Sequence, residues 1–246
     1  MAEEKKKLPC IHVCEGDIPP RVLVCGDPAR AERIGMALDG GHCLKKNREY
    51  WTFVGEHKGV PVAVTSHGVG AGGACIGFES LWRAGAKIII RVGTCGGMQP
   101  DVKAGDAVIV TGACREEGVT EKMLPLSYPA IADDEVVGAL SAAARENGVT
   151  AHKGIVLTSA LFYASFLPSH TKLFSEAGVL ALENEVAGLL VVASSHGTKA
   201  GAILTVDAPA FEVAGVEGYQ PDMDEINRSV DRQIQTALDA IVSMEV

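Results

Sequence analysis

An α/β fold built on one helix-covered, largely mixed or parallel sheet is predicted by three observations. Short, apolar, often β-branched runs alternate with helix-like stretches along the chain, and a polar or glycine-containing turn follows most of the apolar runs. The third is size: 246 residues, 47% hydrophobic and 22% charged, can bury a large core without disulfide or metal staples. A single domain over 1–246, with 1–19 as an N-terminal segment, follows. Residues 22–25 form the first strand and Gly26-Asp27-Pro28 turns it into a helix over 29–38. A second strand over 60–66 ends at His67-Gly68, and a helix over 74–84 follows. The run Lys-Ile-Ile-Ile-Arg-Val over 87–92 is a strand that Gly93-Thr94-Cys95-Gly96-Gly97 breaks. A strand at 106–110 comes next, then an Ala-rich helix over 135–147 closed by Gly148. Strands at 154–157 and 179–182, a helix at 186–194, a strand at 200–206 and a terminal helix over 222–244 complete the series, leaving 111–133 and 208–221 as irregular loops.

Composition removes several classes of function. A net charge of -9 argues against a nucleic-acid surface, since phosphate backbones need clustered Lys and Arg. The one basic run, Lys5-Lys6-Lys7, stands beside Glu3-Glu4 and reads as a solvated tail. Seven cysteines without a C-x-x-C pair predict reduced thiols, no zinc site and a cytoplasmic location. No apolar run is long enough for a membrane span, and no signal stretch is expected.

The candidate chemistry collects just after the strands. Gly26 to Arg30, His67-Gly68, Arg91 to Thr94, Glu183 to Glu185 and Asp207 all hold that position, where ligands of open α/β sheets bind. Each has a structural reading as well. Arg91, inside an apolar strand, needs a partner and could take Asp27 or Glu79. Glu183 and Glu185 could complement a helix N-terminus, and Asp207 could cap a turn. His67 could bond the backbone. Gly68-Val69-Gly70-Ala71-Gly72-Gly73 satisfies G-x-G-x-x-G, yet lies far from the first strand and lacks the acidic residue a dinucleotide site requires. Arginines beside Thr94 and a glycine-rich turn make an oxyanion cradle. No protein nucleophile or metal spacing is evident, so a reaction needing neither fits best.

Taken in order, Val-Cys-Gly-Asp-Pro-Ala-Arg (24–30), Asn-Arg-Glu-Tyr (47–50), Ser-His-Gly-Val-Gly (66–70), Ile-Arg-Val-Gly-Thr-Cys-Gly-Gly (90–97), Leu-Glu-Asn-Glu-Val-Ala (182–187) and Val-Asp (206–207) resemble the hexameric purine nucleoside phosphorylase and uridine phosphorylase family. The details are most similar to the apicomplexan purine nucleoside phosphorylases. The resemblance implies a single-domain, three-layer αβα phosphorylase-like fold. It implies phosphorolysis of purine ribonucleosides such as inosine and guanosine to base and ribose 1-phosphate, in purine salvage. Inorganic phosphate would be the co-substrate, with no cofactor.

By the same resemblance Gly26, Arg30, Arg91 and Thr94 hold phosphate, joined by Arg48 from a neighbouring subunit of a homohexamer (a trimer of dimers). Glu185 binds the ribose 2′- and 3′-hydroxyls with Glu183 and Asn184 close by, and the neighbour's His12 meets the 5′-hydroxyl. Phe162 packs on the base and Asp207 donates to purine N7. Asn184 departs from the family's methionine, and no arginine follows Asp207 closely. Uridine phosphorylase is the nearest alternative, but Ala164-Ser165-Phe166-Leu167-Pro168 lacks the Gln and Arg that read uracil. A water-using nucleosidase and a nucleoside-binding protein without turnover are further alternatives.

Overall fold

A computed structural model describes residues 7–163, 166–210 and 222–246. The strands are β1 (Arg21–Cys25), β2 (Asp39–Asn47), β3 (Tyr50–His57), β4 (Val60–Ser66), β5 (Ile88–Gly97), β6 (Ala107–Glu116), β7 (Ala130–Ile131), β8 (Ala151–Ser159), β9 (Ala181–Glu183) and β10 (Lys199–Pro209). The helices are α1 (Pro28–Ala37), α2 (Ala71–Ala84), α3 (Asp134–Glu146), α4 (Thr171–Glu176), α5 (Val186–Ser195) and α6 (Met223–Ser243).

One sheet holds all the strands. β5 is its hub, pairing in parallel with β1 and β10 and antiparallel with β9. β10 pairs antiparallel with β6, which continues in parallel through β8 to β9. The series β5–β10–β6–β8–β9 therefore returns to β5 and closes a small barrel-like ring. β1, β4, β3 and β2 extend from β5 as an open wing. The sheet is mixed: parallel where helices cross over, antiparallel in the β2–β3–β4 meander.

Alternation of side chains explains the layers. Val22 and Val24 of β1 face one core and Leu23 and Cys25 the other, as a period of two requires. The first core is covered by α2 and α5 and the second by α1, α3 and α6, which gives three layers, αβα. α5 is apolar all round and buried from Val186 to Ala193, so it lies inside the molecule rather than on it. α6 is amphipathic, and Asp222 caps it by accepting from the backbone N–H groups of Asp224 and Glu225. Among the described residues no helix is long and apolar enough to cross a membrane.

Several elements run differently from the sequence expectation. β5 does not break at Gly93 but continues to Gly97, because β10 and β9 supply ladder partners on both sides. β6 reaches Glu116, inside the stretch expected to be irregular, and β7 lies in that stretch too. β2 is a half-exposed edge strand whose sequence carries little alternation. β10 reaches Pro209, so the expected loop at 208–221 starts later, and its residues 211–221 lie outside the described residues.

The site end of β5 is held from behind by α6. Gln233 is fully buried and donates through Nε2 to the carbonyls of Gly93 at 2.8 Å and Ile203 at 2.5 Å, while its Oε1 accepts from Thr205 Oγ1 at 2.9 Å. Gln233→Leu is expected to cost about 3 kcal/mol by stranding these buried groups, measurable as a lower urea midpoint with an unchanged m-value.

Candidate active site

The strand ends expected to carry chemistry converge on one cleft of about 1110 Å³. Gly26, Arg30, Arg91, Thr94, Phe162, Glu183, Asn184, Glu185 and Asp207 all line it. Arg48 and His12 do not. Their segments meet elsewhere: Asn47, next to Arg48 in the β2–β3 turn, donates to the Cys10 carbonyl at 2.6 Å, two residues before His12. Arg48 and His12 both take left-handed backbone angles, with φ of 51° and 56°.

Arg91 is the centre of the site. It is only 4% exposed, so its charge requires partners. These are Glu185, which accepts from the guanidinium in a short contact, Glu183 at 3.6 Å, and the His67 ring at 3.1 Å. Asp27 and Glu79, suggested as partners by sequence, are engaged elsewhere: Asp27 caps α1 through Ala29, and Glu79 meets His196 and Arg83. Its charge partners raise the Arg91 pKa despite the opposing effect of burial. Glycine at position 93 leaves the Arg91 guanidinium its place. Side chains two apart on a strand share a face, and a Cβ there would lie 2.8 Å from the Arg91 guanidinium carbon.

The two glutamates divide their work. Glu183 ends β9 and accepts from the backbone N–H groups of Glu185 at 2.7 Å and Val186 at 2.8 Å, so its carboxylate complements the N-terminus of α5 as the structural reading of the sequence suggested. Its other oxygen accepts from the Thr158 hydroxyl at 2.5 Å. Burial raises its pKa, while Arg91 and these donors oppose the rise. Glu185 instead faces Arg91 and accepts from the Gly70 N–H at 2.6 Å. Gly70 can present that N–H from a φ of 91°, a conformation side chains disfavour. Asn184 lines the cleft, and its Nδ2 donates to the Ser159 carbonyl at 2.7 Å.

Asp207 is a bulge residue rather than a cap. In the β10–β5 ladder Val206 pairs with Cys95 and Ala208 with Gly96, and Asp207 is the extra residue between them. A bulge re-aims its side chain, here into the cleft. Burial pushes its carboxyl up to about 6, against the opposing effects of the Thr94 hydroxyl, nearby backbone N–H groups and Arg30. Arg30, on the first turn of α1, has its pKa lowered, chiefly by burial and also by Arg91. Among the described residues no carboxylate stands within ion-pair distance of it. Two partly desolvated guanidinium groups in one cleft favour an anion.

Phe162 and Tyr163 form the cleft's apolar lip, edge to face with centroids 5.1 Å apart. Sequence reasoning missed Thr158, which carries only the signal of a hydroxyl just past an apolar run. It also missed the partnership of His67 with Arg91, for which the chain offers no local signal.

Fold and cleft together are those of an α/β protein whose strand ends gather two arginines, a threonine and an aspartate around one cleft. The sequence matches the phosphorylase superfamily over residues 20–243, and the chain belongs to that superfamily. It is 33% identical to a guanosine phosphorylase of Halorubrum lacusprofundi over 97% of this chain and 99% of that one. It is 40% identical to a uridine phosphorylase of Treponema pallidum over 77% of this chain and 78% of that one. A crystal structure of purine nucleoside phosphorylase from Toxoplasma gondii in complex with immucillin-H superposes with a TM-score of 0.90 at 30% identity, covering 99% of this chain and 98% of that one.

Proposed function

We propose that this protein is a nucleoside phosphorylase, a pentosyltransferase, acting on purine ribonucleosides such as inosine and guanosine. Family membership supports phosphorolysis of a nucleoside. The observation that carries the purine reading is Asp207, a carboxyl raised to about 6 and aimed into the cleft that also holds Arg30 and Arg91.

The chemistry follows from charge. Arg30, Arg91, Thr94 and the Gly26 backbone hold phosphate below the ribose C1′. As the bond from C1′ to purine N9 breaks, its electron pair leaves with the base and C1′ becomes cationic. Phosphate oxygen stabilises that cation and then forms the new bond to C1′, giving ribose 1-phosphate. The departing base gains negative charge, and protonated Asp207 delivers a proton to N7. A carboxyl with an ordinary pKa of 3.8 would be almost entirely ionised at neutral pH; one near 6 keeps a useful protonated fraction. Glu185 orients the ribose hydroxyls, and Phe162 covers the base. Arg48 and His12, outside this chain's own cleft, complete the site of a neighbouring copy in a homohexamer. A role in purine salvage in the cytoplasm accords with this reading.

A uridine phosphorylase is the second reading, favoured by the Treponema relative at 40% identity. One assay separates the two. Hypoxanthine release from inosine is expected to require phosphate and to exceed uracil release from uridine by at least about tenfold in kcat/KM, a margin of 1.4 kcal/mol. Faster uracil release would transfer the assignment to uridine, and release without phosphate would indicate a nucleosidase.

A further inference from the structure

We infer that His67 is a positioning residue, a neutral hydrogen-bond acceptor that aims Arg91 at the phosphate; this rests on the phosphorolysis reading given above. His67 stands at the junction of β4 and α2 and is 1% exposed. Its place is fixed on every side. Its backbone N–H donates to the Cys25 carbonyl at 2.9 Å, and the next N–H, of Gly68, donates to Gly26 at 3.0 Å. Its ring meets Phe78 edge to face, with centroids 5.1 Å apart.

The tautomer follows from the partners. Nδ1 lies 2.8 Å from the Gly68 carbonyl, which can only accept, so Nδ1 carries the proton. Nε2 then has a lone pair and accepts from Arg91 at 3.1 Å. Burial and the neighbouring guanidinium hold the ring pKa well below the ordinary histidine value, so both bonds persist with the ring neutral.

The choice of a neutral acceptor has a consequence. Glu185 and Glu183 also hold Arg91, but they do so by neutralising it. His67 holds the guanidinium by a hydrogen bond that leaves its full charge to the anion. Arg91 itself lines the cleft beside Arg30 and Thr94, where an anion would meet its guanidinium.

Two substitutions separate positioning from packing. His67→Asn keeps a donor where Nδ1 stands but cannot reach Arg91, whereas His67→Gln places an amide oxygen near the Nε2 position. Binding of inorganic phosphate to the full chain, followed by calorimetry without nucleoside, is expected to weaken about tenfold to hundredfold in His67→Asn, the value of one hydrogen bond to a charged group. His67→Gln is expected to stay within about threefold of wild type, a small part of that same hydrogen bond's value. In turnover, the loss should fall on the phosphate KM and spare the nucleoside KM at saturating phosphate. Unchanged phosphate binding in His67→Asn, or an equal loss in both variants, would overturn the inference. Should His67→Asn fail to fold, His67→Gln decides alone: a loss as large as tenfold refutes it. Calorimetry needs no turnover, so a wild-type protein that binds phosphate but cleaves no nucleoside would defeat the phosphorolysis reading and leave the role of His67 standing.

Discussion

Replacing Asp207 with alanine is expected to lower kcat for inosine by about 10²–10⁴, the usual contribution of a positioned general acid. Asp207→Asn should lose nearly as much, because an amide can donate a hydrogen bond to N7 but cannot surrender a proton. The pH profile gives the stricter check. If the protonated carboxyl is the active form, kcat/KM of the wild type at saturating phosphate falls as pH rises through about 6. That falling limb should vanish in Asp207→Asn. An unchanged limb would assign the titration to another group and remove Asp207 as the acid.

The same residue ties function to stability, with a definite sign. Its folded pKa is raised from 3.8 to about 6, so the fold prefers the neutral carboxyl. The stability this preference confers is complete below the unfolded value of 3.8 and is lost as pH rises through 6. At pH 8 the wild type therefore carries a partly buried carboxylate that Asp207→Asn does not. The variant is expected to be more stable at pH 8 by up to about 3 kcal/mol, discounted for the solvent that reaches the cleft. The gain should disappear near pH 4. Chemical denaturation at the two pH values measures it.

Removing Arg91 should have the largest effect on folding. Arg91→Met deletes the cation that faces Glu183 and Glu185, which are 3% and 4% exposed. Breaking a buried ion pair from one side typically costs about 3–5 kcal/mol, since an uncompensated charge stays behind. Phosphate binding should be lost as well. Adding Glu185→Gln to Arg91→Met is expected to restore part of the stability and none of the activity, a non-additivity that a double-mutant cycle measures. Equal and additive losses would show that the two side chains are not energetically coupled.

Much of the architecture was legible in the chain because burial leaves a local trace. β4 was expected at 60–66 and is found there, and α3 and α6 depart from expectation by one residue at each end. The polar positions after the strands were legible for the same reason: a charged residue at the end of an apolar run stands out. β2 was not legible, since Asp39–Asn47 is an exposed edge with weak alternation. Nor was the run of β5 through its glycines, which depends on partners from β9 and β10.

By itself the sequence determined which residue types stand at the strand ends, and so the presence of guanidinium groups, paired carboxylates and an aspartate. Only the tertiary structure decided how they are matched. Arg91 meets Glu185 across 94 positions of chain and His67 across 24. Hydropathy reports whether a residue is buried. It carries no record of which distant residue shares the space, because that is settled only when β5, β10, β6, β8 and β9 close into a ring and one desolvated cation must find its counter-charges inside it.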